Sequence, residues 1–392
     1  MEIRNPKSEI RNISGAAMPG SDDSLPLAGT LVLDLSRMLP GAVLARHLID
    51  LGARLIKVEE PGTGDPMRMV PPQIEGIGVG FATFFRGAES VVLDLREAED
   101  AKRVLRLATH ADVLVESFRP GTLEKWGLGW DDLHAKNPRL VWCSLSSFGS
   151  NPEVRDLVAH DLNLSAMAGI LDLVGGRVPR LQLADITSGL LAGSAILAGL
   201  LARERDGAGR RLEQPLAAGP LPFLSWSWAE QAVGGGGALD TLLGGVCPCY
   251  RIYRCGDGKS LSLAALEPKF WSAFVELIGA KELETSAFAL AEDGARTVAA
   301  VERALAARPR DRWLQFAEER GLPMGPVRGY DEAAADPIFA SAGLIEQTPM
   351  PDGTAVAGVG PWNPSLGRTP GKPAPRLGEH TAAILDELGI RN

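Results

Sequence analysis

The chain has 392 residues, 45% of them hydrophobic and 23% charged, the balance of a globular protein rather than a disordered one. Its formal net charge of -9 argues against a nucleic-acid partner, although a few local basic residues suffice for the phosphates of a small ligand. The four cysteines (Cys143, Cys247, Cys249, Cys255) fit a reducing compartment better than a disulfide framework, and their spacing suits no metal site.

Residues 1–24 are polar and without periodicity, and they read as a disordered leader. They carry no apolar signal-peptide core, and the apolar run Gly189–Leu201 is shorter than the ~20 residues that span a bilayer. The expectation is a cytoplasmic protein without a membrane segment.

Folding signals begin at Leu27. The run Thr30–Leu35 reads as a buried strand, Pro40 to Leu51 as an amphipathic helix ended by Gly52, and Ala53–Val58 as the next strand. The alternation continues with a strand at Ser90–Leu95, a helix at Ala98–Ala108, and strands at Asp112–Glu116 and Leu140–Ser144. Such βαβ repetition predicts a parallel, Rossmann-like sheet. No Gly-x-Gly-x-x-Gly follows the first strand, so the sequence gives no reason to expect a nicotinamide cofactor. A long helix is expected from Asp185, a good N-cap, to about Arg205, where Gly207 stops it. Beyond Trp226 the pattern changes to a hairpin (Tyr250–Tyr253 and Ser260–Ala264) followed by helices, an α+β arrangement. The predicted organisation is a large α/β domain over residues 25–225, a smaller α+β domain over 226–326, and a return to the large domain over 327–392.

Several segments together resemble the family III CoA-transferase and α-methylacyl-CoA racemase superfamily. They are Leu27-Ala-Gly-Thr-Leu-Val-Leu-Asp-Leu-Ser, Leu51-Gly-Ala-Arg-Leu-Ile-Lys-Val-Glu-Glu-Pro-Gly-Thr-Gly-Asp, Asp112-Val-Leu-Val-Glu-Ser-Phe-Arg-Pro-Gly and Ala374-Pro-Arg-Leu-Gly-Glu-His-Thr. The resemblance implies an acyl-CoA thioester as substrate, without a metal or nicotinamide. It also implies a large domain built from both chain ends and an interlocked homodimer.

Read locally, Asp185 is a helix cap whose carboxylate meets the unpaired N–H groups of the first turn, and the same groups suit a developing enolate oxygen. In the resemblance, Leu183-Ala-Asp-Ile-Thr-Ser-Gly matches the family's catalytic aspartate: a covalent nucleophile in transferases, a proton carrier in racemases. His160, in Ala159-His-Asp-Leu-Asn, resembles the racemase-type Gly-His-Asp, whereas many transferases have Tyr at the His position. Imidazole titrates near neutral pH and suits a base or an acid on one face of an α-carbon. Glu267, in Ala264-Ala-Leu-Glu-Pro-Lys-Phe, looks like the racemase glutamate that supports the histidine; read locally it is an acid ahead of Pro268 at a helix start. Asp161 follows His160 directly and is expected either to position it or to cap the next helix. Lys57, Arg86 and Arg119 are the candidates for CoA phosphates, since basic groups at the carboxyl edge of such a sheet bind anions.

The likeness favours a racemase or epimerase of 2-methyl-branched acyl-CoA, with a CoA-transferase as the alternative and a non-catalytic acyl-CoA binder as a third reading. Two departures stand out. Ala88 and Glu89 replace two basic family residues ahead of the third strand, which is expected to weaken a positive surface facing CoA. Pro215, in Gln214-Pro-Leu-Ala-Ala-Gly, is expected to demote its strand to an edge.

Overall fold

The computed structural model describes residues 25–235, 237–366 and 371–390. The leader expected over residues 1–24 lies outside the described residues.

Six strands form one parallel sheet: β1 (Leu31–Leu35), β2 (Arg54–Glu59), β3 (Glu89–Val92), β4 (Val113–Glu116), β5 (Val141–Ser146) and β6 (Arg210–Pro215). Their order is β3-β2-β1-β4-β5-β6, and every neighbouring pair is parallel. That order is doubly wound, with its switch point between β1 and β4, where ligands of such sheets bind beyond the carboxyl ends. Both faces are covered, so alternate residues of one strand enter different cores. Val32, Val113 and Val115 pack on one side, Leu33 and Leu114 on the other. Pro215 ends β6 opposite Ser146, and β6 is an edge strand.

The first side is covered by helix α1 (Met38–Asp50), and the second by α2 (Ala98–His110), whose Val104 and Leu107 are buried. Helix α3 (Asp161–Ala168) precedes the long α4 (Leu183–Asp206). Helix α4 is long and apolar enough to cross a membrane by length and composition. In this fold its Gly189, Ala192, Gly193 and Ile196 are buried, and it packs along α1. The approach is close because glycine leaves room. A Cβ on Gly189 would lie 2.7 Å from the Pro40 carbonyl oxygen, and one on Gly193 would lie 2.7 Å from the His47 ring. This packing fixes the start of α4, which carries Asp185.

The chain divides into two compact units, Phe223–Asp336 and the described residues on either side of it. The second unit reaches beyond Pro326 because that stretch is tied back. The Val327 N–H donates to the Ser260 carbonyl oxygen at 3.0 Å, and Arg310 pairs with Glu332 at 3.0 Å. Its core holds Tyr253, Leu261, Trp271, Phe274 and Trp313 beside a three-stranded antiparallel sheet. Cys247, Cys249 and Cys255 are buried there as free thiols, and burial pushes Cys249 and Cys255 up to about 11.

The last part of the chain completes the large unit. A hairpin, Ile345–Pro349 with Ala355–Val359, was not anticipated from the sequence. Its Glu346 reaches the buried guanidinium groups of Arg46 at 3.1 Å and Arg86 at 2.6 Å. Farther on, the Ser90 N–H donates to His380 Nδ1 at 3.2 Å and the Val92 N–H to Thr381 Oγ1 at 3.0 Å, so the returning chain closes the open side of β3.

Candidate active site

His160 and Asp185 share one cavity of about 260 Å³ with Asp161, at the facing ends of α3 and α4. His160 is the exposed residue ahead of α3, and its N–H donates to Asn163 Oδ1 at 3.1 Å. That bond fixes the backbone where His160 lines the cavity.

Asp185 is not the helix cap. Helix α4 starts two residues earlier, after Gln182, so Asp185 stands third in the first turn. A carboxylate there still favours the positive end of the helix. Its own N–H donates to Asp161 Oδ1 at 3.0 Å. Asp161 thus holds α4 against α3. The Asp185 carboxyl is raised to about 6, first by burial and then by the neighbouring Asp161, with His160 offsetting part of the rise. Two carboxyls close together resist being ionised at once, which adds to the rise that burial causes.

The expected phosphate ligands fare differently. Lys57 is buried at 1% exposure, with its Nζ 3.2 Å from both Asp34 and Asp65, and it donates to the Ser36 carbonyl oxygen. Burial alone would push its ammonium down, but Asp34, Asp65 and Glu59 overcome this and hold it up. Arg86 is buried between Asp50, at 3.1 Å, and Glu346. Both side chains are therefore internal ion pairs rather than phosphate ligands, which corrects the expectation. Arg119 is exposed after β4, beside Glu116 and Glu213.

The sheet's carboxyl edge does hold a cleft, of about 310 Å³. Arg37, just past β1, and Arg96, past β3, stand at its rim, paired with Glu60 at 3.0 Å and Asp94 at 2.8 Å. Sequence reasoning missed both. The signal was present, since each follows the end of a strand, whereas Lys57 lies within one. Phe118 and Trp126 form an aromatic wall at 5.3 Å, with the Arg37 guanidinium over Phe118. The Ala88 and Glu89 departures do not face this cleft. Glu89 begins β3 at the opposite edge and pairs with Arg54 at 2.7 Å, while Ala88 is buried.

Glu267 belongs to the second unit, where it is exposed and precedes Pro268 at the start of a helix. Its carbonyl oxygen accepts from the N–H groups of Phe270 and Trp271. Among the described residues, no group of three or more His, Cys, Asp or Glu side chains is arranged to hold a metal.

The model of CoA-transferase family III matches residues 27–381. The chain belongs to that family. Its relatives carry both chemistries of the superfamily. The chain is 32% identical to the acetyl-CoA:oxalate CoA-transferase of Acetobacter aceti, over 93% of this chain and 96% of that protein. It is 29% identical to the alpha-methylacyl-CoA racemase of Homo sapiens, over 93% and 94%. Among solved structures, a CaiB/BaiF family protein from Brucella suis superposes with a TM-score of 0.79 at 29% identity, covering 93% of this chain and 99% of that one. The protein is therefore an enzyme of the family III CoA-transferase and racemase superfamily.

Proposed function

We propose that the protein is a racemase or epimerase of 2-methyl-branched acyl-CoA thioesters, working by 1,1-proton transfer. The observation that carries this reading is the pairing of an imidazole, His160, with the raised carboxyl of Asp185 on one cavity. One of the two removes the α-proton, and the C–H electron pair becomes the C=C bond of a planar enolate. The other returns a proton to the opposite face, so the configuration inverts with no net redox change. A carboxyl raised to about 6 gives up and takes back a proton near neutral pH, as a group that serves as base in one direction and acid in the other must. The proposal needs no metal or nicotinamide.

The CoA end of the substrate is assigned to the carboxyl-edge cleft, with Arg37 and Arg96 exchanging their carboxylate partners for phosphate oxygens. Glu267 as support for the imidazole, the interlocked homodimer and the cytoplasmic setting complete the proposal, carried by the likeness of the matching segments.

The test is heavy water. The purified enzyme with a 2-methylacyl-CoA and no second acid should place solvent deuterium at the α-carbon. A second reading, a CoA-transferase with Asp185 as nucleophile, is favoured by the several CoA-transferases among the relatives. It requires exchange only when an acceptor carboxylate is present, and a hydroxylamine-trapped acyl intermediate that Asp185→Asn abolishes.

A further inference from the structure

Ser165 lies on α3 one turn beyond Asp161, so the two side chains share a face of that helix. It lines the cavity of His160 and Asp185, yet it is only 1% exposed. Among the described residues its Oγ has no hydrogen-bond partner. A buried hydroxyl left unpaired lowers stability, so its persistence points to a partner that arrives with a ligand. Leu162, Val178 and Leu181 supply apolar parts of the cavity's lining, with Gln182 a polar one. The N–H of Asp185, in the first turn of α4, is already bound to Asp161. The cavity therefore has one backbone donor engaged and one buried hydroxyl without a partner.

We propose that the Ser165 hydroxyl donates a hydrogen bond to the thioester oxygen of bound acyl-CoA as that oxygen gains negative charge. A staggered rotation about χ1 turns this short side chain toward the cavity. When His160 or Asp185 takes the α-proton, the C–H pair forms the enolate C=C bond and the carbonyl π pair moves onto oxygen. The Ser165 O–H then faces an oxyanion, and it keeps its own proton throughout. When the α-carbon is reprotonated, the pair returns and the hydrogen bond weakens. This rests on the racemase reading, but the same oxygen also gains charge in the tetrahedral intermediate of CoA transfer.

The test compares wild type, Ser165→Ala and Ser165→Thr, measuring both α-deuterium incorporation from heavy water and CoA transfer to a carboxylate acceptor. Ser165→Ala should lower kcat roughly 10–100-fold, a little below the usual loss for one oxyanion donor, with KM and the pH profile nearly unchanged. Ser165→Thr, which keeps the hydroxyl, should recover most of the rate. A Ser165→Ala enzyme with wild-type kcat overturns the proposal, as does an equal loss in both variants, which would mark a packing role. If the wild type transfers CoA but exchanges no α-proton, the racemase reading fails alone, and Ser165 is judged on the transfer rates. A wild type that does neither overturns both.

Discussion

The cavity at the start of α4 and the cleft at the sheet's carboxyl edge handle charge in opposite ways. In the cleft every cation has a carboxylate: Lys57 has Asp34 and Asp65, Arg37 has Glu60, and Arg96 has Asp94. In the cavity two carboxyls meet with an exposed imidazole beside them, and one is raised to about 6. Matched charges hold a shape. Unmatched ones hold protons ready to move, which is why perturbed carboxyls gather where chemistry is done.

The sharpest way to break this contrast is to remove the imidazole. His160→Ala should lower α-proton exchange about 10²–10⁴-fold, the usual contribution of a general acid or base, while acyl-CoA binding measured by calorimetry stays near wild type. An unchanged exchange rate would sink the racemase reading.

The next largest effect belongs to the matched side. Lys57→Met leaves Asp34 and Asp65 buried without their cation, and breaking such a pair typically costs about 3–5 kcal/mol. Urea unfolding should show that loss; a change under 1 kcal/mol would mean the triad is not held as described.

Asp185→Asn should act in the opposite direction. A carboxyl raised from 3.8 to about 6 by folding is ionised at a cost above the higher value and at none below the lower one. Replacing it should therefore stabilise the fold above pH 6 by at most about 3 kcal/mol, a gain that shrinks between pH 6 and 4 and disappears below. Thermal unfolding across that range reads it, and a gain that grew toward acid would reverse the assignment. The smallest effect is expected at the rim. Arg96 is exposed and its partner is local, so Arg96→Ala should leave the unfolding midpoint unchanged and weaken CoA binding by less than about tenfold.

Much of the sheet was legible because period and turn residues are local. The strands from Thr30 to Ser144 were placed within a few residues of their observed positions. The errors arose where a partner far along the chain decides. Nothing near Arg86 in sequence announces Glu346, the carboxylate that claims it. Asp185 looked like a cap because Arg180-Leu-Gln-Leu-Ala offers none of the usual capping side chains, yet Gln182 starts the helix without a side-chain bond. The late hairpin did leave a signal, since Asp352-Gly353 is a hairpin-turn pair, but the surrounding prolines and glycines masked it. Ser165 was invisible, since an unpaired hydroxyl is a property of surroundings and not of a motif.

Glu346 has a consequence for how the protein is made. The guanidinium groups of Arg46 and Arg86 belong to the first hundred residues; among the described residues Asp50 is the other acid that both of them meet, and their remaining counter-charge is translated some 260 positions after Arg86. Until the ribosome delivers it, two cations in the nascent large unit share one anion in a region destined to be dry. The contiguous segment Phe223–Asp336 faces no such wait and can settle during synthesis, so that the piece begun second is the piece finished first.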